Sequence, residues 1–118
     1  MTTHQNFNET AILVTRDGMG SSDLSLQHKL IKTYFKLLIE NETLPSVICF
    51  YTEGVKLVVK GSPILEELAQ MEEKGVRLVI CMTCLKHYEM EEDVEVGIIG
   101  GMGDMIEAQL RAQKVITL

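Results

Sequence analysis

The residues with the clearest chemical potential are two cysteines in the segment Cys81-Met82-Thr83-Cys84. A cysteine thiolate is a nucleophile, and a second thiol three residues away is within range to attack a sulfur atom bound to the first. Cys81 ends a predicted strand, and Cys84 lies in the first turn of the next predicted helix, where backbone N–H groups and the helix dipole favour thiolate. The pair therefore indicates sulfur chemistry at Cys84, with Cys81 as a resolving thiol.

Three other uses of this segment stay open. Two buried cysteines can serve simply as small apolar side chains. Cys81, Cys84 and His87 have the spacing of metal ligands, but a structural zinc site needs four ligands, and the sequence offers no second pair, so neither a metal nor a cofactor is expected. Dithiol exchange of the thioredoxin kind needs a C-x-x-C motif that opens a long helix, whereas the helix predicted here is short.

Nearby loops contain further candidate binding residues. A glycine-rich turn before a helix can bind an anion, although the same glycines also suit a plain tight turn. Lys56, in the loop after the second predicted strand, would point a cation at the thiolate, or else is an ordinary solvated charge. Thr83 is predicted to cap the helix that follows and to lie beside a sulfur carried by Cys84. The candidate residues of the glycine-rich turn are Asp17, Gly18, Gly20 and Ser21.

Strands and helices that alternate along the chain must position these loops. Short connections between them predict a parallel sheet covered by helices on both sides, and ligands of such sheets gather at the carboxyl ends of the strands. The segment Glu53–Gly61 is predicted as a short strand or an ordered loop. The predicted strands are Ala11–Val14, Val47–Tyr51, Val76–Cys81, Val94–Ile99 and Val115–Leu118, and the predicted helices are Asp23–Glu40, Pro63–Gly75, Cys84–Met90 and Met102–Arg111.

Length and composition exclude several classes of protein. The 118 residues suffice for one domain with a real core. A net charge of −6 argues against direct nucleic-acid binding, and no apolar run approaches the roughly 20 residues of a membrane span. The polar start, Met1–Thr10, lacks the order of a secretory signal, so a cytoplasmic protein is expected. We predict a polar extension over residues 1–9 and a single domain over residues 10–118.

The sequence resembles the DsrE/DsrF-like family of small sulfur-handling proteins, and most closely the C-terminal domain of YedF-type proteins. The order and spacing of several segments together carry the resemblance. It implies an α/β fold, a flavodoxin-like three-layer α/β/α sandwich with a mainly parallel five-stranded sheet, assembled into homo-oligomers, often trimers or hexamers. The matching segments are Asp17–Ser21, Gly54–Leu57, Glu72–Val76, Cys81–Leu85 and Lys114–Leu118.

The resemblance also implies a function. A cysteine of the family accepts sulfane sulfur as a persulfide and passes it on, and Cys84 occupies the matching loop. YedF-type proteins usually carry an additional SirA/TusA-like domain, which this sequence lacks, so separate sulfur donor and acceptor proteins are expected, among them a TusA/SirA-like carrier. The alternative is a non-catalytic, homo-oligomeric module that binds a small ligand or a protein, with unreactive cysteines and an apolar pocket at the same strand ends.

Overall fold

Five parallel strands form a single sheet in the order β4-β3-β2-β1-β5 in the computed structural model, which describes residues 9–118. The predicted extension lies outside the described residues as far as Asn8. The strands are β1 (Thr10–Val14), β2 (Val47–Phe50), β3 (Arg77–Cys81), β4 (Ile98–Gly100) and β5 (Lys114–Thr117), and the helices are α1 (Leu24–Glu40), α2 (Leu65–Glu73), α3 (Met82–His87) and α4 (Met102–Arg111).

The helices lie on both faces of the sheet, as the alternating pattern predicted. From β1 to β4 the chain steps across the sheet in one direction, and it then returns past β1 to β5. Because parallel crossovers are right-handed, the first three connections cover one face and α4 covers the other. Ile12 accordingly shares a cavity with Tyr34 of α1, whereas Val79 borders Gly100 beside the start of α4. The three-layer α/β/α architecture is confirmed.

The core fills both sides of the central strands. All four residues of β2 are buried, which explains why its sequence is continuously apolar rather than alternating. The helices add pairs of buried side chains at helical spacing, such as Ile31 and Phe35 in α1 and Leu68 and Met71 in α2. Each large apolar side chain buried in this way contributes about 1.5–3 kcal/mol relative to its exposed state.

The helix ends follow local rules that the sequence had indicated. The Asp23 carboxylate accepts a hydrogen bond from the backbone N–H of Leu26 at 3.0 Å and so caps α1. Gly75, at φ +100°, ends α2, with the N–H of Val76 donating to the carbonyl of Met71 at 3.0 Å. This is the Schellman arrangement, and it turns the chain directly into β3.

Several predicted boundaries were wrong. The segment after β2, predicted as a short strand or an ordered loop, is a 3₁₀ helix over Thr52–Val58. The fourth strand covers only Ile98–Gly100, because Val94 pairs with Val59 in an isolated antiparallel bridge and Gly97 turns the chain at φ +89°.

The helix α3 also differs from its prediction. It begins at Met82 and ends at His87, so Thr83 lies inside the first turn and not at the cap. The reason is that Cys81 keeps an extended backbone and serves as both the last strand residue and the helix cap. Among the helices of residues 9–118, none combines the length and apolarity needed to cross a membrane.

Gly54 should be intolerant of any side chain, because the 3₁₀ helix packs tightly on the end of β1. A Cβ atom at Gly54 would overlap the carbonyl oxygen of Val14. We expect Gly54→Ala to lower the free energy of unfolding by about 1–3 kcal/mol, the usual cost of overpacking a core, as measured by urea denaturation. The matched control is Gly103→Ala, because Gly103 lies in α4 with open space around it. The control should be neutral or more stable by up to about 1 kcal/mol, and equal stability of the two variants would contradict the packing argument.

Candidate functional site

The three cysteines differ sharply in accessibility. Cys49 is fully buried in the middle of β2, and Cys81 is 3% exposed at the end of β3. Cys84, the third residue of α3, is only partly buried, and all three are free thiols. A reagent or a partner protein would therefore reach Cys84 first, which is the residue that the sequence had singled out.

The cysteine pair lies where the direction of the chain connections changes. Cys81 of β3 is paired with Gly100 of β4. The chain leaves β3 towards α3 on one face of the sheet and leaves β4 towards α4 on the other. In open α/β sheets, the crevice at such a switch point, outside the carboxyl ends of the strands, is the usual place for a ligand. The fold thus puts both thiols at a location suited to chemistry.

Thr52 completes the surroundings of Cys84 and was not found by sequence reasoning. Its backbone N–H donates a hydrogen bond to the Sγ atom of Cys84, with 3.0 Å between nitrogen and sulfur. The only available signal was its position just after β2, the strand beside β3. Thr52 has φ +49°, an unusual conformation for a β-branched residue that costs on the order of 1–3 kcal/mol. Such strain persists only where the surrounding structure enforces it.

The pKa of the Cys84 thiol is raised, contrary to the lowered pKa expected from a helix N-terminus. Burial raises it most, the hydrogen-bonded thiol of Cys81 raises it further, and the N–H of Thr52 lowers it. The expectation failed because burial and the neighbouring Cys81 thiol both disfavour the negatively charged form of Cys84. No cation among residues 9–118 contributes to the shift. Burial likewise raises the pKa of Cys49, with a smaller lowering by Arg77.

Lys56 lies towards the other end of α3. Its Nζ atom is 4.8 Å from the centre of the Tyr88 ring and 4.0 Å from the Glu53 carboxylate. Tyr88 is the C-terminal cap of α3, whereas Cys84 is in the first turn. A cation over an aromatic ring at a partly exposed site is worth about 0.5–1 kcal/mol, so this contact helps to pack the 3₁₀ helix on α3. The predicted action of Lys56 on the Cys84 sulfur stays a prediction, and so does that of the exposed Thr83.

The glycine-rich turn after β1 is folded onto α1. The carboxylate of Asp17 lies 2.8 Å from Nε2 of His28, and its carbonyl accepts a hydrogen bond from the side chain of Gln27. Gly18, at φ +129°, leaves no room for a Cβ atom, which would lie 2.6 Å from the Gln27 backbone. These contacts give the turn a structural role in attaching β1 to α1.

The glycine-rich turn follows β1, which is not a neighbour of β3, the strand that ends at Cys81. Strand β2 separates β1 from β3. The hydroxyl of Thr52 lies 2.6 Å from the carbonyl oxygens of both Thr15 and Tyr51 and so links the two regions. Gly20 and Ser21 are exposed, and the proposed binding of a ligand by this turn stays a prediction.

A cavity of about 200 Å³ lies at the opposite edge of the sheet. It opens between α1 and the amino ends of β1 and β5, away from the cysteines. Within residues 9–118, no three His, Cys, Asp or Glu side chains are grouped as a metal ion would require. The cavity is lined by Thr10, Ile12, Tyr34, Leu38, Thr43, Pro45, Lys114 and Ile116.

Several solved structures have a similar fold. A protein of unknown function from Methanobacterium thermoautotrophicum is 17% identical, with a TM-score of 0.68 over 92% of this chain and 97% of that one. The ychN protein from E. coli is 19% identical, with a TM-score of 0.65 over 92% and 98% of the two chains. A conserved protein of unknown function from Bacteroides thetaiotaomicron is 13% identical, with a TM-score of 0.64 over 98% and 100%.

The sequence itself settles the family. No curated protein gives a significant sequence match, and the solved structures are too distant in sequence to show more than the fold. A family model, however, matches nearly the whole chain, including all the strands and helices described above. With that match over residues 9–118, the chain belongs to the DsrE/DsrF-like family.

Proposed function

We propose that this protein is a sulfur carrier that accepts sulfane sulfur on Cys84 as a persulfide and relays it to a partner. The observation that carries the proposal is the position of one accessible thiol at the switch point of the sheet, between a backbone N–H donor and a second thiol. Membership of a family associated with sulfur relay supports it. The finer likeness to the C-terminal domain of YedF-type proteins remains part of this proposal.

The chemistry requires only thiols and persulfides. The Cys84 thiolate attacks the outer sulfur of a donor persulfide, the sulfur–sulfur bond of the donor breaks, and the donor leaves as a thiolate. An acceptor thiolate then takes the outer sulfur from Cys84 and regenerates the Cys84 thiolate. In a second route, the Cys81 thiolate attacks Sγ of the loaded Cys84, hydrosulfide leaves, and a Cys81–Cys84 disulfide forms that an external thiol must reduce.

The donor and the acceptor are separate proteins in this proposal. A TusA/SirA-like carrier is the candidate partner, and the exchange takes place in the cytoplasm, where free thiols persist. Neither step uses Lys56, which the Tyr88 ring and Glu53 engage.

Self-association is the other interaction that we propose, as the trimer or hexamer implied by the resemblance. Helix α4 exposes Met102, Ile106 and Leu110, which are spaced four residues apart and are 60%, 50% and 80% exposed. Residues at this spacing lie on one side of a helix. Ile98, on the neighbouring edge strand, extends this α4 stripe and is 67% exposed. Contact between copies would remove this apolar surface from water.

A small-ligand module is the competing function, and the cavity beneath α1 favours it. The cavity combines apolar walls with Lys114 and the hydroxyl group of Tyr34. It lies at the amino ends of the strands, whereas the alternative hypothesis placed an apolar pocket beside the cysteines. In this alternative the cysteines have no chemical role, so Cys84 would take up no sulfur from a persulfide donor.

Loading with sulfur should depend on Cys84 and not on Cys81. Intact-mass measurement after incubation with a persulfide donor should show a gain of one sulfur atom that reductant removes. Cys84→Ser should abolish this gain, and Cys81→Ser should retain it while slowing the loss of sulfide. The buried Cys49 supplies the control variant, Cys49→Ser, which should load normally. Sulfur uptake that persists in Cys84→Ser would refute the assignment.

The reactivity of Cys84 should rise at a higher pH than that of an ordinary thiol, because its pKa is raised. A raised pKa leaves less thiolate at neutral pH, so alkylation of Cys84 in the folded protein should be slower than in the unfolded chain. The rate should be followed from pH 6 to pH 11 by peptide mass spectrometry, folded and in urea, with roughly tenfold change per pH unit below the pKa. A folded-state midpoint below that of the unfolded chain would contradict the burial argument.

Disruption of the α4 stripe should dissociate the oligomer. Ile106→Glu or Leu110→Glu introduces a charge that contact between copies would bury, so sedimentation should show a smaller species than for the wild type. Glu107→Gln is the control, because it changes an exposed residue beside the stripe. A wild-type protein that sediments as a monomer at micromolar concentration would refute self-association.

A further inference from the structure

We infer that Thr52 is the positioning residue of this sulfur site: its hydroxyl group holds its own backbone N–H against the Cys84 sulfur, where negative charge develops during sulfur transfer. The inference rests on the proposed function and adds to it a residue that acts on the step itself. Thr52 is exposed, and its conformation lacks any explanation in core packing. The contacts of its backbone and hydroxyl group supply that explanation.

The turn that contains Thr52 is attached to the end of β1 on both sides. Before it, the N–H of Tyr51 donates to the carbonyl of Val14 at 3.1 Å. After it, Gly54 packs directly on the same carbonyl, and its N–H donates to the carbonyl of Tyr51 at 3.0 Å. Between these points, the Thr52 hydroxyl lies 2.6 Å from the carbonyl oxygens of Thr15 and Tyr51. The left-handed backbone at Thr52 is therefore held by its own hydroxyl group together with the contacts on either side of it.

The Thr52 N–H lies in the peptide plane that joins Tyr51 to Thr52, points across to α3 and donates to Sγ of Cys84 at 3.0 Å. A donor fixed in advance at a developing anion stabilises it without reorganisation during the reaction. The Thr52 N–H is such a donor for the sulfur anion.

Charge appears on Sγ at two points of the transfer. Before loading, Sγ must be a thiolate in order to attack the donor persulfide. In the loaded state the negative charge lies on the outer sulfur, and when an acceptor thiolate takes that atom, the electron pair of the breaking sulfur–sulfur bond returns to Sγ. A donor at Sγ therefore assists both the formation of the nucleophile and its departure as a leaving group.

The hydroxyl group gives the inference a sharp test. Thr52→Val keeps the branched shape but loses the bond to the Thr15 carbonyl, so the strained turn should relax and withdraw the N–H. Thr52→Ala also lacks the hydroxyl but has less steric strain in a left-handed turn, and it serves if the valine variant does not fold. Thr52→Ser keeps the hydroxyl and should restore the wild-type behaviour. Thr33→Val is the control, because Thr33 is an exposed threonine of α1 that belongs to no candidate site.

The first readout is the pH profile of Cys84 alkylation, resolved by peptide mass spectrometry in protein whose circular dichroism spectrum is native. We expect Thr52→Val and Thr52→Ala to move the midpoint up by about one pH unit, and so to slow alkylation at pH 7 about tenfold. Thr52→Ser and Thr33→Val should stay within about twofold of the wild type. A wild-type profile in whichever hydroxyl-free variant folds would overturn the inference.

The second readout separates this inference from the proposed function. Cys84 is loaded with a small-molecule persulfide donor, and the release of sulfide to dithiothreitol is timed; Thr52→Val should release it about tenfold more slowly. If the wild type takes up no sulfur while the alkylation profile still depends on the Thr52 hydroxyl, the carrier function fails and the positioning role stands. If sulfur is taken up and released at the wild-type rate by the hydroxyl-free variants, the positioning role fails alone.

Discussion

The parallel pairing of β2 with β3 is the constraint on which the site depends. The ladder aligns Phe50 with Ile80 near the carboxyl ends of the two strands. Thr52 begins the 3₁₀ helix directly after β2, and Cys84 lies in the first turn of α3 directly after β3, so no long loop separates either residue from its strand. The hydrogen bond between their nitrogen and sulfur atoms is thus a consequence of strand register. A shift of the register by one residue would turn every side chain of a strand to the other face and would separate the pair.

Partial burial of Cys84 has two opposing consequences. It raises the pKa of the thiol and so lowers the fraction of thiolate at neutral pH, and it also limits the access of solvent to the Cys84 sulfur. The N–H of Thr52 offsets part of the first effect without a full positive charge at the site. The proposed carrier function requires this balance, because the protein would have to accept a sulfur atom and still release it to a partner, and a strongly stabilised thiolate is a weaker nucleophile.

The unequal covering of the two sheet faces determines what the protein presents to others. Among residues 9–118, three connections cover one face, whereas α4 alone packs on β2, β3 and β4 on the other. A single helix buries Met105 and Ala108 and leaves its outer side apolar and exposed. That α4 stripe starts at Met102, two residues after the partner of Cys81 in the sheet. Contact between copies would therefore form close to the sulfur site.

The sequence by itself determined the elements, the architecture and the pair of thiols. Alternating apolar segments gave the strands and helices, and local signals such as Asp23 and Gly75 gave helix ends, because these features depend on neighbours within a few residues. Only the tertiary structure decided the strand order, the partner of Lys56, the direction of the pKa shift at Cys84 and the hydrogen bond from Thr52 to Cys84. Each of these rests on contacts between residues far apart in the chain. The sequence around Thr52 contains no local signal for the left-handed backbone at this residue, because contacts with the end of β1 hold it.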